Sequence, residues 1–345
     1  MTPRERVLGC LEFRSIDRAP RDLWALPWVD MFVAEEKSAL LAEHPGDFTG
    51  PGKVLGGSDR ARGTPARRGT YVDEWGVEWE CGEDGVIGEV KSPPLADFSA
   101  LDSFTPPWEL VEKADWTAAG RAQKRNMAGK ARFMLAGSGV RPFERMQFLR
   151  GTENLLIDMA YGTAGFRRLL EMVHEFELKL MEGWASTAVD GVSFMDDWGS
   201  QTALLISPAM WREVFRPVYA RYCEIVHAAG KKVFFHSDGH IEAIYPDLIE
   251  IGVDAVNSQL FCMDIESLGR LHRGRITFWG EIDRQRVLPF GTVDDVRAAV
   301  GRVRRALGDG TGGGVIAQCE WGPANPAGNI RAVYEAWDAP LEELP

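Results

Sequence analysis

The feature that most constrains the fold is an alternation of short apolar runs with helical patterns in the second half of the chain. The apolar runs lack the polar alternation of half-exposed strands, and a helical pattern follows each of them. Such units, repeated at about 20 to 40 residues, predict a parallel sheet whose strands are buried on both faces. The predicted strands are 191–195, 231–235, 254–259, 276–279 and 315–318. The predicted helices are 207–229, one ending near 251, 264–272, 293–307 and 326–337.

Three further segments complete the count of strands. Residues 132–136 and 18–24 have strand-like composition, and residues 70–79 are a weaker candidate, whereas 152–187 has a long helical pattern. Eight strands favour a (β/α)8 (TIM) barrel over an open, doubly wound sheet. Because no G-x-G-x-x-G follows any of these strands, the sequence also disfavours a dinucleotide-binding domain.

Residues 50–70 differ in composition from the rest of the chain. They hold six glycines and five Lys or Arg residues in an otherwise acidic protein. We predict a mobile loop here. It is either a solvated connection, or a lid or docking surface for an anionic partner.

The charge balance limits the classes of partner. The chain has 51 acidic and 39 basic residues, a net charge of −12, which disfavours binding to nucleic acid or to an anionic membrane surface. No apolar run approaches the roughly 18–20 residues of a membrane span, and the first residues lack the features of a signal peptide. We therefore expect a cytoplasmic protein.

The five cysteines are odd in number and scattered, without any C-x-x-C. This excludes a disulfide framework and a self-contained cysteine zinc finger. A cysteine with a function is therefore expected to act as a single thiolate together with other residue types.

In a parallel barrel the chemistry lies at the carboxyl ends of the strands. About half of the polar residues predicted at these ends are acids, which need a cation, a cationic ligand or hydrogen-bond partners. The polar residues are Asp22, Asp196, Asp197, His236, Asp238, His240, Gln259, Glu281, Asp283, Gln318, Cys319 and Glu320.

The pair His236-x-Asp238 is the sharpest local signal, because alternate residues at a strand end point to the same side. Together with Cys319 it could supply three ligands of a catalytic zinc and leave one open position. His240 is a substitute ligand at the same spacing. The alternative is that His236 and Asp238 form a general base or a structural pair.

An ordered set of motifs covers nearly the whole chain: residues 1–8 with 17–20, 73–76, 143–156, 196–201 with 206–208, 231–240, 246–254, 278–283 and 318–323. This set resembles the uroporphyrinogen decarboxylase superfamily and, within it, the branch of corrinoid-dependent methyltransferases. The resemblance implies one (β/α)8 barrel domain over residues 1–345 with an N-terminal helical extension. Because superfamily members are often dimers, a homodimer is an expectation by analogy.

The true decarboxylases carry Arg-Gln-Ala-Gly-Arg after the first strand, and its arginines hold the carboxylates of the tetrapyrrole. Residues 23–28 here are Leu-Trp-Ala-Leu-Pro-Trp. Without those arginines, an octacarboxylate would lack its cationic recognition. The resemblance therefore favours the methyltransferase branch.

That branch binds zinc through His-x-Cys and a later Cys, which match His236, Asp238 and Cys319. Asp238 is a departure, an oxygen where the branch has sulfur. Zinc held this way should be a stronger Lewis acid for oxygen, which suits a methyl ether such as a methoxylated aromatic. The methyl group would pass to or from a corrinoid carried by a separate protein.

We expect Asp196, Asp197, Glu281 and Glu320 to act in catalysis, and Trp24, Trp198, Gln259 and Gln318 to contact the substrate. Two other classes stay open. One is a metal-free lyase of the decarboxylase type that uses Asp196, Asp197 or His236 as acid and base. The other is a protein that binds a small ligand without turnover.

Overall fold

The computed structural model describes residues 1–308 and 312–345. Eight strands form one parallel sheet in the order β1-β11-β10-β9-β8-β7-β6-β2, a nearly closed barrel, and β3-β4-β5 form an antiparallel sheet. The strands are β1 Arg21–Ala25, β2 Phe48–Thr49, β3 Gly69–Val72, β4 Glu78–Cys81, β5 Glu89–Ser92, β6 Phe133–Gly137, β7 Gly191–Met195, β8 Lys232–Ser237, β9 Ala255–Ser258, β10 Thr277–Trp279 and β11 Val315–Trp321. The predicted (β/α)8 barrel is confirmed.

Helices surround the sheet and precede it at the N-terminus. They are α1 Pro3–Leu11, α2 Pro27–Phe32, α3 Ala34–Glu43, α4 Glu109–Glu112, α5 Trp116–Ala128, α6 Pro142–Arg150, α7 Thr152–Tyr161, α8 Ala164–Ala185, α9 Pro208–Ala228, α10 Tyr245–Glu250, α11 Ile265–His272, α12 Val287–Phe290, α13 Val293–Leu307 and α14 Ala327–Asp338. Local chemistry sets several starts: Ser207 caps α9, with Pro208 as its first residue, and Thr292 caps α13.

One predicted barrel strand is wrong. Residues 70–79 belong to β3 and β4 of the small antiparallel sheet, and the barrel strand between β1 and β6 is the two-residue β2. A strand of two residues has no periodicity that a sequence pattern could show. The long helical pattern at 152–187 is likewise divided, because Gly162 ends α7 in the left-handed conformation and Thr163 caps α8.

Asp47 links the two ends of the eight-stranded sheet. Its backbone N–H donates to the carbonyl of Arg21 at 2.9 Å, and its carboxylate accepts from the Arg21 N–H at 2.7 Å. The same buried carboxylate pairs with Arg6 at 2.5 Å and Arg18 at 2.7 Å. One acidic side chain thereby joins β1, the start of β2 and α1.

Aromatic rings fill the barrel below its carboxyl-terminal end. Phe133 packs against Phe48 and Phe234 with ring centroids 5.7 Å apart in each pair, and Phe234 packs against Trp279 at 5.0 Å. Burying each such side chain contributes about 1.5–3 kcal/mol. This packed aromatic layer closes the barrel interior below its carboxyl-terminal end.

The small antiparallel sheet packs beside the barrel through aromatic contacts. Trp79 meets Phe148 of α6 at 4.8 Å, and Trp75 meets Phe176 of α8 at 4.9 Å. The glycine- and arginine-rich segment 50–70 leads into this sheet, and the Gly56 N–H donates to the Leu110 carbonyl. Its mobility stays a prediction.

Within the parts of the chain described, we find no helix with the length and apolar character needed to cross a bilayer.

Candidate active site

The loops after β7 and β8 lie against each other at the carboxyl end of the barrel. The Gly199 N–H donates to the Asp238 carbonyl at 3.0 Å, and the Asp238 N–H donates to Asp197 Oδ1 at 2.8 Å. A Cβ on Gly239, which has φ +77°, would lie 2.1 Å from the Gly199 carbonyl oxygen. Two glycines therefore let Asp197 and Asp238, 41 residues apart, come together.

These two carboxylates face the end of β8. His236 Nε2 lies 3.6 Å from Asp197 Oδ1 and 3.6 Å from Asp238 Oδ1. One ligand atom from each of the three residues lies within 4.8 Å of the other two. Asp238 Oδ1 is buried without a hydrogen-bond partner among the residues described. The arrangement calls for a positive species among the three side chains.

A hydrogen bond at Nδ1, the ring nitrogen that faces away from the two aspartates, fixes the orientation of the His236 ring. Nδ1 lies 2.7 Å from Asn257 Oδ1, and the Asn257 amide nitrogen donates to the Trp279 carbonyl, which assigns the Asn257 oxygen as an acceptor. His236 must then carry its proton on Nδ1. Its Nε2 therefore offers either a second proton or a lone pair to the space between the two aspartates.

Arg284 lies next to Asp238 and forms ion pairs with three acidic residues of the rim. It pairs with Asp238 Oδ2, with Glu320 at 2.9 Å and with Glu281 at 3.8 Å. Although burial opposes its charge, these three carboxylates raise the pKa of Arg284. Burial also raises the pKa of Glu281 well above its ordinary value, despite the cation beside it. Arg284 thus supplies part of the positive charge that the acid-rich rim requires.

Two of the cavities at the rim adjoin His236 and Arg284. One, of about 340 Å³, lies beside His236 and is lined by Trp24 and Trp279. The other, of about 220 Å³, adjoins Arg284 and is lined by Gln259 and Glu281. The walls of the first are fixed by Asp22, whose carboxylate accepts from the indole N–H of Trp24 at 3.0 Å and of Trp279 at 2.8 Å. Burial raises the pKa of Asp22 to about 6, although both indoles stabilise its charge.

Cys319 does not join His236 and Asp238. It pairs in register with Leu23, whereas its neighbour Glu320 pairs with Trp24 and reaches Arg284. Because side chains alternate along a strand, Cys319 faces the opposite side of β11 from Glu320. The thiol is fully buried, and burial raises its pKa. Among the described residues, the third group beside His236 and Asp238 is Asp197.

Asp196 is held by hydrogen bonds in the protein interior. Its fully buried carboxylate accepts from the backbone N–H groups of Phe143 and Glu144, at the start of α6, and from Tyr219 Oη at 2.5 Å. Trp198 lies on the same side, stacked on Phe143 at 4.0 Å. Neither lines the cavity beside His236 or the cavity beside Arg284.

The remaining predicted side chains lie near the rim. Trp24 packs on His236 at 5.1 Å, and Gln259 lines the smaller cavity. Gln318 is 1% exposed, and neither end of its amide has a hydrogen-bond partner within the described chain. His240 lies 3.9 Å from Glu242 and outside the group around His236.

Three residues of the site were missed by the sequence reasoning. Asn257 is a polar residue inside an apolar strand, a signal that could have marked it. Arg284 follows Asp283 directly and would have been found by asking which cation balances the acids. Arg141, which lines the cavity beside His236, gave no signal in its own segment.

Comparisons with known proteins give the family from one family model and the fold from a solved structure. The family model described as "Uroporphyrinogen decarboxylase (URO-D)" matches residues 70–339. No curated protein matches the chain. A methyltransferase from Methanosarcina mazei superposes with a TM-score of 0.71 over 98% of both chains at 16% identity, which shows a shared fold. An endo-β-1,4-xylanase from Gloeophyllum trabeum aligns over 95% of this chain and 99% of its own at 10% identity, with a TM-score of 0.45.

Proposed function

The chain belongs to the uroporphyrinogen decarboxylase family, and from that premise we propose that it is a metal-dependent methyltransferase. It moves a methyl group between a small substrate and a corrinoid carried by a separate protein. Asp197, His236 and Asp238 hold the metal, which we propose to be zinc. The observation that carries the proposal is the convergence of these three ligand atoms within 4.8 Å at the barrel rim.

The donor set fits a divalent cation. Asp238 Oδ1 is buried without a partner in the described part of the chain, and His236 Nε2 points toward it. One imidazole and two carboxylates suit zinc, which in catalytic sites takes three protein ligands and leaves one position open. This set replaces the predicted His236, Asp238 and Cys319, with Asp197 in the place of the thiol.

A metal with an open position would supply Lewis-acid polarisation of a substrate oxygen. The residues of the chain do the rest. Asn257 accepts the Nδ1 proton of His236 and so aims Nε2 at the metal position, as hydrogen-bond partners of ligating histidines generally do. Arg284 binds Asp238 through the oxygen that does not face His236. Trp24 packs against the imidazole with ring centroids 5.1 Å apart and limits its contact with water.

The group transfer balances as a displacement at carbon. With a methyl ether as donor, the bond from carbon to the substrate oxygen breaks, and its electron pair stays on that oxygen. A reduced corrinoid on the partner protein would supply the electron pair for the new bond to the methyl carbon. The cavity beside His236 is the proposed place for the methyl-bearing substrate.

A metal-free lyase is the second candidate, and one feature favours it. His236 Nε2 lies 3.6 Å from a carboxylate oxygen of each of two aspartates, an arrangement that could transfer a proton to or from a substrate as acid and base. The same three side chains could therefore bind a metal ion or act in proton transfer. Of the two candidate functions, only the methyltransferase requires a metal for activity.

Metal content decides between the two candidates. Protein purified without a histidine tag should contain one equivalent of zinc per chain, measured by mass spectrometry of the digested protein. Asp197→Asn, His236→Ala and Asp238→Asn should each lose it, whereas Cys319→Ala and the nearby control His240→Ala should retain it. Zinc-free protein that gains no activity on adding zinc would refute methyl transfer by this route.

A further inference from the structure

The cavity beside His236 differs in character from the acidic rim around it. Of its described lining residues none is an aspartate or glutamate, and the only Lys or Arg is Arg141. The walls are mainly apolar and include the indoles of Trp24 and Trp279, which pack on each other with ring centroids 5.0 Å apart. An apolar chamber with a single cation in its wall suits a ligand that has a flat apolar body and one negative charge.

Arg141 is held in place through its backbone. Its N–H donates to the buried carboxyl group of Glu177 at 3.0 Å, and Pro142 begins α6 directly after it. These contacts fix where the side chain starts. They do not use its guanidinium group, and the side chain as a whole is about one third exposed.

The positive charge of the Arg141 guanidinium group has few acidic partners among the described residues. In the described chain its one ion pair is with Glu144 Oε1, at 3.8 Å, beyond hydrogen-bond distance. By contrast, Arg145 binds Asp73 at 3.0 Å and Arg284 binds Glu320 at 2.9 Å. The donors of Arg141 are therefore available to a ligand.

We infer that this cavity binds a single-ring aromatic carboxylate, with its ring against the indoles of Trp24 and Trp279 and its carboxylate on Arg141. A guanidinium group can bind a carboxylate with two parallel hydrogen bonds, and aromatic walls favour a flat ring. The inference rests on the proposed function in one respect, because it makes the methyl-bearing substrate an aromatic acid.

The test is ligand binding to the full chain after removal of metal by a chelator, so that a carboxylate cannot bind to zinc instead. Isothermal titration compares 3-methoxybenzoate with 3-methoxybenzamide, which has the same shape and no charge. At neutral pH the acid should bind at least about tenfold more tightly, as expected for hydrogen bonds to a charged group.

Variants locate that preference. Arg141→Gln should bind acid and amide equally, and Arg141→Lys should keep part of the preference because it keeps the charge. Arg221→Gln, an exposed arginine on α9, is the control for the loss of one positive charge and should behave as the wild type.

Equal binding of acid and amide by the wild-type protein would overturn the inference without any variant. A preference that survives in a folded Arg141→Gln protein would overturn it too. Failure of the proposed function is seen separately: zinc bound without a preference for the acid refutes only this inference, whereas a preference that depends on Arg141 in a protein that never binds zinc refutes only the metal-dependent function.

Discussion

Replacing Asn257 with leucine tests whether the metal position depends on the group behind His236. Leucine has nearly the same size as asparagine but can neither accept the proton of Nδ1 nor donate to the Trp279 carbonyl. The ring of His236 would then be free to protonate on Nε2, the atom that faces Asp197 and Asp238. We expect weaker metal binding in a protein whose three ligands are unchanged.

The magnitude follows from the contacts that are lost. Partners behind a ligating histidine typically contribute ten- to a hundredfold in metal affinity, or about 1.4–2.8 kcal/mol. The 2.7 Å bond between His236 and Asn257 is fully buried, so water does not replace the lost acceptor. We therefore expect an effect toward the upper end of that range.

The assay is competition for zinc with a chromophoric chelator at fixed pH. Asn329→Leu is the matched control, because Asn329 is also buried and donates to two backbone carbonyls, but near α12 and away from the rim. Both variants should lose stability, yet only Asn257→Leu should lose zinc affinity. Equal affinity in Asn257→Leu and the wild type would refute the role given to Asn257.

Two further predictions concern stability. Asp47→Asn leaves Arg6 and Arg18 without their shared buried carboxylate and should lower the free energy of unfolding by about 3–5 kcal/mol in urea titrations. A loss below about 1 kcal/mol would contradict the view that Asp47 closes the barrel. Burial raises the folded-state pKa of Glu177 to about 8 from its ordinary 4.5, so the folded state retains a proton that the unfolded chain releases between these values. Stability from this group is complete below pH 4.5 and is lost as pH rises toward 8, by up to about 1.4 kcal/mol per pH unit. Glu177→Gln should remove that slope, and an unchanged slope would show that Glu177 is ionised in the folded state.

The fold was predictable because most strands and helices carry their own local signals. Apolar runs and capping residues placed β7 and α13 at their observed bounds, 191–195 and 293–307. The element that failed was β2, whose two residues show no pattern and which exists only because Asp47 and β6 hold it. Residues 70–79, the weaker candidate for a barrel strand, contribute instead to an antiparallel sheet outside the barrel.

The site was predictable only where it is local in sequence. The spacing of His236 and Asp238 identified two of the three grouped side chains. Asp197 was predicted as a catalytic acid instead, because its approach depends on the register of β7 with β8 and on close packing of Gly199 against Gly239.

The position of Cys319 illustrates a further limit. Whether a strand residue faces the barrel or the helices depends on its parity in the register, and a shift of one residue reverses it. Here Gln318 pairs with Asp22 and Glu320 with Trp24, which leaves Cys319 on the other face. Sequence position alone placed it at the end of the last strand and could not decide this.

The central claim is that a metal is held by nitrogen and oxygen from His236, Asp197 and Asp238, without sulfur. X-ray absorption at the zinc edge of the loaded protein measures this directly. We predict a first shell of nitrogen and oxygen alone, at about 2.0–2.2 Å, that is unchanged in Cys319→Ala. A sulfur neighbour at about 2.3 Å that disappears in Cys319→Ala would contradict the account and restore the thiol as a ligand.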